Sequence, residues 1–123
     1  MNRVESHIVE VIQDVYKDFR FGDIYIHWMS DDELLEVNRK HLNHDYFTDI
    51  ITFDYSRRNK VSGELFISKD RIKENAIENK EPLERERNRV VVHGILHLIG
   101  FKDKTEEEKK RMRLKENEIL DRL

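Results

Sequence analysis

Between Val90 and Ile99 every residue is apolar except His93, Gly94 and His97. The spacing predicts a helix that starts at Pro82, is charged through Arg89 and is apolar on all sides after it, and such a helix has to be buried. The rest of the chain must therefore be organised around it. Proline is disfavoured inside a helix but suits a first turn, so Glu81-Pro82 marks where one helix ends and this one begins. Gly100 fits the position just past the helix end, where a left-handed backbone is easiest for glycine. His93 and His97 stand four residues apart, so both lie on one helical face with Cβ atoms about 5–6 Å apart and can converge on one ion. Asp103 follows six residues after His97, on the returning loop, where a carboxylate oxygen completes a three-ligand set at about 2.0–2.2 Å. A fourth position stays open for water, as in catalytic rather than structural zinc sites. The plain alternative is a pair of satisfied core histidines, but an imidazole without partners is costly in so apolar a helix. Zinc peptidases with a helical His-Glu-x-x-His carry their general base directly after the first histidine, and here that position is Gly94. A peptidase is thereby disfavoured, and no side chain is assigned as the base.

The remaining patterns predict what packs on that helix. Val4, Ile8, Val11, Ile12 and Val15 share one face of a first helix, and Ile24, Ile26 and Trp28 alternate with Tyr25 and His27 as in a half-buried strand. Ser30 with Glu33 is a capping-box signal for a second helix that stops near Asn43. Ile50 to Tyr55 and Gly63 to Ser68 read as two strands joined by the basic turn Ser56 to Lys60. A third helix holds Ile72, Ala76 and Ile77, and Thr105 with Glu108 caps a last helix whose inner side carries Met112, Ile119, Leu120 and Leu123. The expected fold is α+β: a small mixed sheet covered by helices, with a zincin-like HxxxH helix. A length of 123 residues suits a single domain, 1–123. The chain is 40% charged and only 37% apolar, yet the apolar residues are periodic, which argues for a folded domain with a charged surface. It has no cysteine, so any metal is held by imidazole or carboxylate. No apolar run approaches the roughly 20 residues that span a bilayer, and a soluble cytoplasmic protein is expected. A net charge of −3 gives no general attraction to nucleic acid, so an RNA partner would need local basic clusters.

Outside the histidine helix the functional signals are weaker. Arg57, Arg58 and Lys60 form a basic turn that suits phosphate contact, although charged turns also serve to discourage edge pairing. Arg85, Arg87 and Arg89 alternate with acids and read mainly as a solvated helix surface, as do Lys109, Lys110 and Arg111. Thr48 and Asp49 open a strand and are candidates for lining a substrate cleft, with a turn-forming role as the alternative. Trp28 and Phe53 sit in strand patterns where aromatic residues are mostly core. His7, His27, His41 and His44 have no partner at ligand spacing and read as surface or structural.

The segment His93 to Asp103 followed by Thr105-Glu-Glu-Glu resembles the signature of the YbeY family of bacterial rRNA maturation factors. Two more blocks are similar and fall in the family's order. Leu42-Asn43 with Thr48 to Phe53 resembles its Leu-Asn and Thr-Asp-Val-Leu-Ser-Phe segments, and Gly63 to Ser68 resembles its Gly-Asp-Ile-x-Ile-Ser strand. The resemblance implies a single-strand-specific, metal-dependent endoribonuclease acting in 16S rRNA 3′-end maturation and ribosome quality control. It also implies one zinc ion per chain, with a water on it attacking the phosphodiester, and partnership with the small ribosomal subunit and its assembly factors. His93 and His97 fall on the family's helical ligands, and Asp103 stands where most members have a third histidine. Aspartate is a competent zinc ligand. The loop from Asn43 to Thr48 is shorter than the family pattern and lacks its arginine, and an opening strand common in the family is not evident before the first helix. Competing expectations are a ribosome-assembly factor that uses the metal as a structural clip, and a metal-dependent hydrolase of another bond.

Overall fold

Helix α4 (Leu83–Ile99) lies across one face of a three-stranded sheet, and everything else in the molecule is arranged about that contact. The computed structural model describes residues 1–123, in the order α1 (Arg3–Val15), β1 (Arg20–Met29), α2 (Asp31–Leu42), β2 (Ile50–Asp54), β3 (Lys60–Ser68), α3 (Lys69–Glu78), α4 and α5 (Glu106–Leu120). The strands lie in the order β1-β3-β2. β2 and β3 form an antiparallel hairpin, and β1 runs parallel to β3, so the expected mixed sheet of an α+β fold is present.

Alternation along the strands gives the sheet two different faces. Register pairs Ile26 with Leu65 and Trp28 with Ile67 on one side, and Ile50 with Ile67 and Thr52 with Leu65 on the other. These residues face α4, where Val91, Val92, Ile95 and Leu96 are fully buried and Ile8 and Ile12 of α1 and Met112 and Ile119 of α5 complete the core. The opposite face is covered by α2, whose Leu34 is buried, as is Ile51 of β2, and whose His41 stands edge-on to Phe53 at 5.9 Å. Capping boxes start α1 (Asn2 with Glu5), α2 (Ser30 with Glu33) and α5 (Thr105 with Glu108), and Asn43 ends α2 in the left-handed conformation at φ 54°. Pro82 is the N-cap of α4 and Gly100, at φ 122°, its C-cap.

The expected elements are all present, with shifted ends. β1 begins at Arg20 rather than Ile24, across an irregularity between Phe21 and Ile24, and β3 begins at Lys60 because Arg57 and Lys60 already pair across the turn. Leu123, expected on an inner face, is exposed because it lies beyond the end of α5, and α3 buries Ile72 and Ala76 while leaving Ile77 exposed. Arg89, expected on a solvated surface, is buried and ion-paired, because the face of α4 that carries it turns toward α5.

Gly94 lets α4 approach the sheet closely. A Cβ there would stand 2.9 Å from Ile50 Cδ1 and from both Leu65 methyls. The position that holds the base in helical zinc peptidases thus faces packed core in this protein. Gly94→Glu would add an overpacking cost of about 1–3 kcal/mol to the larger cost of a buried unpaired carboxylate. We expect this variant to lose its cooperative urea transition and to gain no peptidase activity; a midpoint close to wild type would contradict the packing described.

Candidate metal centre

His93 and His97 project from the same face of α4, one turn apart, and the chain then reverses. Gly100 accepts a backbone conformation closed to most residues, with its amide donating to the carbonyls of Leu96 and His97 at 3.2 and 3.1 Å, and the Phe101 amide donates to Leu96 at 3.0 Å. The reversal delivers Asp103 to the imidazoles. His93 Nε2 and His97 Nε2 lie 3.0 Å apart, and each is 3.2 Å from Asp103 Oδ2. The side chains are 22%, 26% and 38% exposed, so the cluster is sunk into the surface with one side open.

The outer ring nitrogens decide what this cluster can hold. His97 Nδ1 is 2.9 Å from the Phe101 carbonyl oxygen, which can only accept, so Nδ1 carries the proton. His93 Nδ1 is 2.7 Å from Glu116 Oε2, which assigns its proton in the same way. In the neutral rings both Nε2 atoms are then bare lone pairs, and the third corner is a carboxylate oxygen. Three acceptors at this separation repel unless a cation lies among them, either a proton on a ring or a metal ion. Around a tetrahedral ion with bonds of about 2.0–2.2 Å, donor atoms stand roughly 3.3–3.6 Å apart. The observed triangle of 3.0, 3.2 and 3.2 Å is close to that size. The donor set of two imidazoles and one carboxylate therefore fits a divalent ion of the zinc type and leaves the solvent side free.

Glu116 was not evident as a site residue in the sequence. It is buried on α5 and is held by Arg89 Nη1 at 3.3 Å and Arg113 Nη1 at 3.5 Å, while Arg89 Nη1 also donates to Asn117 Oδ1 at 3.0 Å. An available signal was a carboxylate between Met112 and Ile119, on the apolar face of its helix. In the metal-free protein, burial works against the imidazolium of His93, but the bond to Glu116 and the charges of Glu116, Asp103 and Asp49 outweigh it, so its pKa is raised above the ordinary 6.5.

Two concavities meet at the triad. The smaller, of 390 Å³, runs along α5 past Glu86, Arg89 and Glu116; the larger, of 560 Å³, runs along β2 and the loop before it. His93, Asp103 and Asp49 line both. Asp49 is pinned by its backbone, whose carbonyl accepts from Ser68 N at 2.9 Å, and the loop before it is tied down by Asn38 Nδ2 donating to the Tyr46 carbonyl at 2.9 Å. Thr48 lines the larger concavity, as do His44 and Lys104. Arg57 and Arg58 stand exposed on the β2–β3 turn and line neither. Trp28 and Phe53 are structural: the Trp28 indole donates to Glu5 at 2.8 Å, and Phe53 meets Phe66 edge to face. His27 pairs with Glu64 and His41 packs on Phe53.

Partners of a ligating histidine usually matter 10- to 100-fold for metal affinity. Glu116→Ala is accordingly expected to weaken metal binding by about that factor in a competition titration, and Glu116→Gln, which can still accept from Nδ1, by less. A raised His93 pKa contributes stability below pH 6.5 that is lost as pH rises through the folded value, whereas a metal needs the unprotonated ring. The increase in melting temperature on adding metal should therefore grow as pH rises through that window; an increase independent of pH would remove His93 from the ligand set.

Known proteins place this chain in a family. The family model described as Endoribonuclease YbeY matches residues 1–123. A Phocaeicola vulgatus protein of that name is 50% identical over 101 residues, 82% of this chain and 73% of the relative, and one from Azobacteroides pseudotrichonymphae is 46% identical over 116 residues, 94% of this chain and 82% of the relative. The solution structure of a Thermotoga maritima protein superposes with a TM-score of 0.65 at 30% identity, covering 94% of this chain and 78% of that one. With a match along its whole length and relatives near half identity, the chain belongs to the YbeY endoribonuclease family.

Proposed function

We propose that residues 1–123 act as one domain, a zinc-dependent endoribonuclease that cuts single-stranded RNA in the cytoplasm, in 16S rRNA 3′-end maturation and ribosome quality control with the small ribosomal subunit and its assembly factors. The observation that carries the reading is the convergence of two bare imidazole nitrogens and a carboxylate oxygen on one point in an open cleft, in a chain of this family. No helix is long and apolar enough to cross a membrane.

His93, His97 and Asp103 would hold the ion. When bound, zinc supplies Lewis acidity at a phosphodiester oxygen and lowers the pKa of a coordinated water. The chain's own residues do the rest. Glu116 and the Phe101 carbonyl fix the two rings in the tautomer that points Nε2 inward, and Arg89 holds the Glu116 carboxylate in place beside His93. Asp49 is the only acid besides Asp103 that lines both concavities, and its carboxylate makes no ion pair or hydrogen bond. It is placed to take the proton from an attacking water, the task that Gly94 cannot perform. Lys104, beside Asp103, offers a cation to the phosphate backbone in the larger concavity.

A second reading, a non-catalytic assembly factor with a structural metal, is favoured by one observation: Lys104 is the only lysine or arginine lining the larger concavity. Cleavage separates the two. Purified protein is expected to carry stoichiometric zinc and to cut a single-stranded oligoribonucleotide, with activity abolished by chelation and by His97→Ala. Asp49→Asn is expected to retain zinc and to cut about 10²-fold or more slowly, the usual loss for a missing proton acceptor. Protein that binds zinc and RNA but leaves the strand intact would favour the assembly factor, and full activity in His97→Ala would end the metal mechanism.

A further inference from the structure

A third hollow, of 460 Å³, shares no lining residue with the two concavities at the triad, yet it is built on the same reversal of chain. Its walls are Tyr16 and Phe19, which follow α1, and Gly100, Phe101 and Lys102, with Arg111 from α5. Tyr16 and Phe101 meet edge to face with centroids 5.7 Å apart. Two features ask for an occupant. The rings of Tyr16, Phe19 and Phe101 are only partly buried, so apolar faces remain open to the hollow. Lys102 and Arg111 are exposed and neither makes an ion pair, while the one acid in the wall, Glu108, accepts from the Thr105 amide in the cap of α5 and feels the charge of Lys102, so the wall carries two cations against one anion.

Aromatic faces beside unpaired cations are the chemistry of a stacked base with its phosphate. The geometry points to a nucleotide subsite in this hollow: a base of single-stranded RNA stacks among Phe19, Phe101 and Tyr16, and Lys102 and Arg111 take the adjoining phosphates. The assignment rests on the endoribonuclease reading and extends it from the cutting site to strand recognition. Lys102 is the chain neighbour of Asp103, and the carbonyl of Phe101 holds His97 Nδ1. A strand seated here is thus registered against the triad by the residues that shape it. Two phosphate contacts contribute about 1.4 to the salt slope of binding to a single strand.

Steady-state cleavage of a single-stranded oligoribonucleotide by the zinc-loaded protein tests this, with Lys102→Ala/Arg111→Ala and Phe19→Ala compared with wild type. Both substituted cations are exposed, so the double variant is expected to keep its fold and zinc content. It should raise KM while leaving kcat within about twofold, and the dependence of log(kcat/KM) on log salt should flatten by about 1.4. Phe19→Ala should raise KM by roughly five- to a hundredfold, the cost of one lost base–aromatic stack. Wild-type cleavage with KM and salt slope unchanged in the double variant overturns the subsite and leaves the endoribonuclease reading intact. A wild type that does not cut the strand overturns both.

Discussion

Two hydrogen bonds on the outer nitrogens of His93 and His97 decide what the inner nitrogens can do. One runs to a buried carboxylate on α5 and the other to a backbone carbonyl on the turn after α4, and together they leave two lone pairs facing each other at 3.0 Å. An arrangement of bare acceptors has no stability of its own. It is maintained because the rest of the fold determines it: α4 is clamped between the sheet and the α1–α5 layer, Gly94 lets it approach Leu65 closely, and Gly100 turns the chain so that Asp103 meets the rings.

The second half of that clamp is electrostatic. Arg89, Glu116 and Glu86 are all nearly solvent-free, and a buried ion pair is weak evidence for stability because desolvation offsets most of its attraction. Its use here is positional. Arg89 spends one nitrogen on both Glu116 and Asn117, which fixes the carboxylate against His93, so that a charge on α4 orients an imidazole on the same helix by way of α5. Such a network fails sharply if one member is lost, since the survivors remain buried and unpaired. The triad is therefore backed by buried partners on one side and open on the other, where Asp49, Thr48 and Lys104 line the cleft.

Much of this was legible in the residues themselves. The apolar run with two histidines required a buried helix, the i, i+4 spacing put both rings on one face, and Gly100 announced the turn that brings Asp103 back. Caps at Ser30 and Thr105 located helix starts because the short polar side chain accepts from the glutamate's backbone amide while the glutamate three residues on accepts from the amide of the cap residue. What escaped was long-range. Arg89 sits in a stretch of alternating charges that looks solvated, and only the packing of α5 on α4 buries it. Glu116 is separated from His93 by 23 residues, and no local pattern reveals their contact. Leu123 kept the helical period of α5 but falls past the end of that helix. Strand order had no local signal either: β1 reaches its parallel partner β3 only after α2 and β2 have intervened.

The central claim is that one divalent ion sits among His93, His97 and Asp103. X-ray absorption at the zinc edge of the loaded protein tests it directly. The account predicts a first shell containing two imidazole nitrogens at about 2.0–2.1 Å, with their outer-ring scattering, and a carboxylate oxygen at about 2.0–2.2 Å. A shell of water oxygens alone, or one with a single imidazole, would contradict it.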